Sequence, residues 1–137
     1  MRRQRHGWLW SFLLAASSAG LFGCSSGSAG VNRYVPSEGK AREALDAALA
    51  AWQRGEPPGQ LSVGGTTVEV VDSARRGDQK LAKYEIAGDA PSGGPKQFTV
   101  RLTMESSTSV QEVIYVVLGR DPIWVYRDQD YAQNQGM

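Results

Sequence analysis

The two side chains that dominate enzyme nucleophilic and metal chemistry occur once each, as His6 and Cys24, and both stand near the start of the chain. Beyond Cys24 there is no histidine and no thiol. That removes Ser-His-Asp and Cys-His catalysis, ordinary zinc sites and disulfides internal to the remaining domain. Carboxylates and tyrosines are left. Asp128 and Asp130 stand two apart between Tyr126 and Tyr131, a spacing that could serve a divalent cation or acid-base work. The plainer reading is a solvated polar end, since hard cations recruit more oxygens than two acids supply. Tyr84, Tyr115, Trp124 and Tyr126 fall on extended segments and could line a pocket; cross-strand contact is what such aromatics do in any case. The sequence predicts no catalytic residue, no metal and no cofactor.

Three short patterns dissolve on inspection. Arg76-Gly77-Asp78 spells an adhesion tripeptide, but Gly-Asp is also what a turn requires. Gln111-Glu112-Val113-Ile114-Tyr115 echoes the Gln-x-Val-x-Gly of cystatin inhibitors, with Tyr115 where the glycine belongs and the whole segment reading as a strand. Arg75, Arg76, Lys80 and Lys83 form a basic cluster that could face anionic lipid or wall polymer; lysines that guard a sheet edge explain it equally well.

Charge divides the chain. The whole has 15 basic and 14 acidic residues. Arg2, Arg3 and Arg5 precede an apolar run from Trp8 to Phe22 with no acid among them. Without the first 23 residues, twelve bases face fourteen acids, a net charge near −2. A nucleic-acid partner is not expected of such a domain. A basic head, an apolar stretch and a small-residue end make the pattern of a secretory signal. The Arg2-Arg3 pair lacks the apolar residues that follow a twin-arginine signal, so Sec export is expected. An uncleaved membrane anchor is the other reading, with an apolar run at the short limit for a span.

Leu21-Phe22-Gly23-Cys24 resembles the bacterial lipobox, with Phe22 where that family places a smaller residue. The resemblance implies that residues 1–23 are cleaved as a signal peptide and that Cys24 is lipidated with diacylglycerol and palmitate-type chains. Two or more acyl chains hold a protein stably on a bilayer. The Ser- and Gly-rich residues that follow make a flexible tether to about residue 36. The implied location is the cell envelope, on the exported face of a membrane.

The elements that must position any site follow from periodicity. Ser37 is a helix N-cap. Ala41, Leu45, Ala48, Leu49 and Trp52 make one apolar stripe over 38–54, and Gly55 with Pro57-Pro58 ends the helix. Period-two alternation then predicts strands over 67–72, 80–87, 97–105, 110–118 and 123–127. In the second, Ala82, Tyr84 and Ile86 share a face; in the third, Phe98, Val100, Leu102 and Met104 point inward. The fourth is apolar on both faces over 113–118, as a central strand should be. Residues 128–137 read as a polar, fraying end.

One helix and four to five antiparallel strands bury their apolar faces by curling the sheet around the helix. Trp52 is then expected against Phe98, Val100 or Val116. This α+β order over 37–131 resembles the cystatin/NTF2-like roll of small secreted and lipid-anchored bacterial proteins. The fold hosts many functions. The reading it supports is a non-catalytic envelope domain that binds a protein or small ligand. The alternative is a small NTF2-like enzyme that uses Asp128, Asp130 or a tyrosine in the mouth of the roll.

Overall fold

The computed structural model describes residues 34–90 and 94–136. The expected signal, Cys24 and the expected tether as far as residue 33 lie outside the described residues.

Helix α1 spans Glu38–Gln53. The Ser37 hydroxyl accepts the Lys40 N–H at 3.4 Å, as the N-cap reading requires. Ala41, Leu45, Ala48, Leu49 and Trp52 are all buried, with Ala44 and Ala51 beside them. At the other end Gly55 adopts φ 85°. Its N–H donates to the Trp52 carbonyl at 2.8 Å, and the Glu56 N–H reaches the Ala51 carbonyl at 3.0 Å. These paired bonds are a Schellman cap, in which the glycine takes the left-handed conformation that side chains resist.

Six strands follow: β1 Gln60–Val63, β2 Thr66–Val71, β3 Leu81–Ala90, β4 Lys96–Met104, β5 Val110–Gly119 and β6 Ile123–Arg127. They form one curled sheet in the order β1-β2-β6-β5-β4-β3. A second helix, α2, covers Asp128–Gln135. Inward from the sheet, Val68, Val70, Phe98, Val100, Leu102, Tyr115, Val117, Ile123 and Val125 meet the α1 stripe in one core.

The α+β class and the central place of β5 agree with the sequence. Four details differ. First, the sheet has six strands, not four or five. β1 is a four-residue edge strand joined to β2 by Gly64-Gly65, at φ 55° and 80°; two successive positive φ angles make the tight hairpin turn that glycine permits. Second, the sheet is mixed. β2 and β6 run parallel, with Val70 opposite Val125 and Val71 opposite Tyr126. Third, residues 128–135 are helical rather than a polar tail. Fourth, β3 carries a bulge between Leu81 and Lys83. The extra residue brings Leu81 into the core in place of Ala82, while Tyr84 and Ile86 keep their expected face.

Strand parity also corrects the surroundings of Trp52. Tyr115 and Val117 point inward, so Val116 lies on the sheet's outer face and is absent from the core around α1. Trp52 shares that core with Phe98 and Val100. Its indole N–H donates to the Gln79 carbonyl at 3.0 Å.

The molecule has two distinct ends. At the upper end β2, β4 and β6 finish, β3 and β5 begin, and α1 terminates. At the lower end α1 begins, and the Gly119 N–H donates to the Tyr34 carbonyl. Gly119 has φ 89°, and a β-carbon there would stand 2.5 Å from the Pro122 carbonyl oxygen, so the β5–β6 turn requires glycine.

Trp52 is 3% exposed. Trp52→Ala should cost about 3–5 kcal/mol and lower the melting midpoint by well over ten degrees, at roughly 4–8 °C per kcal/mol for a domain of this size. Arg42→Ala, on the exposed side of α1, should change it little. Circular-dichroism melts of the two variants check this; equal midpoints would mean that α1 does not dock through its stripe.

Candidate functional site

The period-two pattern that buries Val68 and Val70 continues to the next inward position, which is Asp72. The pattern that buries Ile123 and Val125 continues to Arg127. Parallel pairing of β2 and β6 brings the two strand ends side by side, and Arg127 lies opposite Tyr115 on β5. A carboxylate, a guanidinium and a phenol therefore meet on the inner face at the upper end of the curled sheet.

The Asp72 side chain is fully buried, and those of Arg75 and Arg127 are 3% and 11% exposed. Tyr115 donates its hydroxyl to Asp72 Oδ2 at 2.8 Å. Arg75 Nε stands 3.6 Å from Oδ2, and Arg127 Nη1 stands 3.6 Å from Oδ1. The Ala74 N–H donates to Oδ1 at 3.2 Å and the Arg75 N–H to the Asp72 carbonyl at 3.2 Å. These bonds make the local turn that aspartate favours. Arg75 then lies with its guanidinium carbon 4.5 Å from the centre of the Trp52 ring, a cation–π contact. Its Nη2 donates to the Ala48 carbonyl of α1 at 3.0 Å.

Burial, reinforced by the Asp72 charge, pushes the Tyr115 hydroxyl well above its ordinary range, so it remains a donor. Burial lowers Arg75 from its ordinary value, partly offset by Tyr115 and Asp72 and reinforced by Arg127. One carboxylate faces two cations, and the buried group carries a net positive charge. The Nε atoms of Arg75 and Arg127 are buried without a hydrogen-bond acceptor.

The aromatic side chains singled out by the sequence do not converge. Tyr115 lies in the core. Tyr84, on β3, donates to Asp46 Oδ1 at 2.8 Å; partial burial and that bond push its hydroxyl up to about 12. Trp124 and Tyr126 have the opposite parity and lie on the outer face. Their rings are 5.7 Å apart, and Tyr131 of α2 packs 6.0 Å from Tyr126. Burial beside Tyr131 raises the Tyr126 hydroxyl as well.

Asp128 and Asp130 do not form a carboxylate pair. Asp130 is 4% exposed and accepts both the backbone N–H and the hydroxyl of Ser73. Asp128 is exposed and accepts the Gln129 N–H at 2.8 Å. Asp130 thus clamps the turn that carries Asp72 and Arg75. Arg76-Gly77-Asp78 is a turn, closed by the Gln79 N–H on the Arg76 carbonyl at 3.0 Å. Gln111-Tyr115 lies within β5. The basic cluster divides: Arg75 is buried, whereas Arg76, Lys80 and Lys83 are exposed.

Asp72 and Arg127 escaped functional notice in the sequence, although their parity already put charged side chains on the core face. Compared with known protein families, with curated proteins and with solved structures, the chain matches none.

Removing the central carboxylate while leaving both cations buried should be severe. Asp72→Asn is expected to cost about 3–5 kcal/mol, read as a fall in the denaturant midpoint. Tyr115→Phe should cost about 1–3 kcal/mol at neutral pH. An unfolded tyrosine ionises near 10, whereas folded Tyr115 holds its proton to higher pH. Above about pH 10 the unfolded chain therefore binds fewer protons than the folded one, and stability falls as pH rises. Tyr115→Phe should show a shallower alkaline decline; equal slopes would remove Tyr115 as its source.

Proposed function

We propose that this chain is an exported lipoprotein, lipidated at Cys24 and held on the outer side of a membrane, whose cystatin/NTF2-like domain binds a partner or small ligand and performs no catalysis. The observation that supports the non-catalytic part is the enclosure of Asp72 and Tyr115 at the upper end of the sheet. Enzymes of NTF2-like architecture work with carboxylates and tyrosines at that position. Here Asp72 and Tyr115 bond to each other and lie under two guanidinium groups, with Asp72 fully buried. Asp130, the other buried carboxylate among the described residues, is spent on Ser73. An acid-base residue must reach its substrate within hydrogen-bond distance, and a carboxylate so enclosed favours a structural role.

The anchor rests on Leu21-Phe22-Gly23-Cys24 and on the basic and apolar segments before it. The start of the described domain suits a tether, because the chain enters at the lower end, away from the Asp72 cluster. The full-length protein, expressed in bacteria, should incorporate labelled palmitate and partition into the detergent phase. Cys24→Ser should lose both properties. Equal labelling of the variant and the native chain would overturn the lipoprotein reading.

A further inference from the structure

The upper end carries a second feature, separate from the buried carboxylate. A cleft of about 300 Å³ opens beyond the Schellman cap of α1, at the small end of the range for small-molecule sites. Trp52, Pro57 and Pro58 give it apolar walls, Arg75 lies under it, and Arg76 and Lys80 stand at its rim. Glu56 also lines it and is ion-paired with Arg54 at 3.1 Å. Asp78, in the same turn as Arg76, is not among the lining residues. Asp72 sits behind Arg75, where it is shared between two guanidinium groups, so the positive charge here is incompletely balanced.

We infer that this cleft binds a small soluble carboxylate with a short apolar body, its carboxylate between Arg76 and Lys80 and its apolar part against Trp52, Pro57 and Pro58. Charge selects the sign of the ligand, since Arg76 and Lys80 can donate charge-assisted hydrogen bonds to a carboxylate. Volume selects its size, because the cleft is too small for a two-chain lipid. Position selects its source: the cleft lies at the far end of the 16-residue α1 from Tyr34, roughly 24 Å at 1.5 Å per residue. This inference rests on the reading of the domain as a binding module; its choice of a soluble source rests also on the anchor, whereas the size and charge of the ligand do not.

The indole N–H of Trp52 bonds to the Gln79 carbonyl, and both residues line the cleft. Its nuclear magnetic resonance signal, assigned by its loss in Trp52→Phe, reports occupancy. The full-length protein in phosphatidylcholine nanodiscs would be titrated with hexanoate, hexylamine and inorganic phosphate in turn. Hexanoate should shift the signal saturably, while hexylamine should not and phosphate should do so more weakly. Arg76→Ala and Lys80→Ala should each weaken hexanoate binding by about two- to fivefold without altering the circular-dichroism spectrum. No saturable shift with hexanoate would overturn the proposal, as would equal shifts with hexylamine or with phosphate. The same shift in phosphatidylglycerol nanodiscs without hexanoate would assign the cleft to lipid and overturn the soluble source. Failure here leaves palmitate labelling at Cys24 untouched, and failure of that labelling leaves this titration untouched.

Discussion

Everything at the upper end of the fold is organised by one carboxylate that has no access to water. An ion the size of a carboxylate loses several kcal/mol of hydration on burial, even after the protein relaxes around it. Asp72 is tolerable only because four other groups arrive at the same place: the Tyr115 hydroxyl, the Ala74 N–H and the two guanidinium groups. They come from β5, from the turn after β2 and from the end of β6. Arg75 extends the network to α1 through the Ala48 carbonyl and the Trp52 ring. Asp130 extends it to α2 by holding Ser73. Five of the eight elements among the described residues are therefore tied to the surroundings of a single side chain.

The cluster also specifies topology. If β2 ran antiparallel to β6, Asp72 and Arg127 would lie at opposite ends of the sheet, each buried without the other. A one-residue slip of β2 would turn Asp72 outward with Val68 and Val70, and one of β6 would turn Arg127 outward with Ile123 and Val125. Apolar contact alone tolerates alternative arrangements of similar volume. A buried charge pair tolerates far fewer, because removal of either partner is strongly destabilising. The same contacts occupy the Asp72 carboxylate and the Tyr115 hydroxyl.

Much of this fold is legible in the residues. The α1 stripe, its Ser37 and Gly55 boundaries and the inward faces of β4 and β6 follow from period and capping chemistry. Other features have signals too short or too distant to read. β1 alternates over four residues only, and its best signal is the Gly64-Gly65 pair. The β3 bulge shifts Leu81 inward without any marker in composition. The parallel pairing joins segments more than fifty residues apart, and local periodicity is silent about direction. α2 has a polar sequence, and its place depends on Asp130 finding Ser73. Of the candidate site residues, Tyr115 sits on a strand that is apolar on both faces over 113–118, so parity alone does not separate it from Trp124 and Tyr126. Parity does mark Asp72 and Arg127, as charges at positions where the neighbouring pattern demands apolar side chains.

The bond between the Tyr34 carbonyl and the Gly119 N–H bears on how the domain carries load. Tension applied through the preceding chain enters at the lower end, beside the turn that joins the two inner strands β5 and β6. A ligand or partner held at the upper end would pull from the opposite side. The line of force then runs nearly along the strands and along α1. In that direction the hydrogen bonds between neighbouring strands are loaded together, in shear. A tether attached at the β1 or β3 edge would instead peel the sheet one bond at a time. The axis from Tyr34 to the end of α1 is therefore the mechanically stiffer one of the fold.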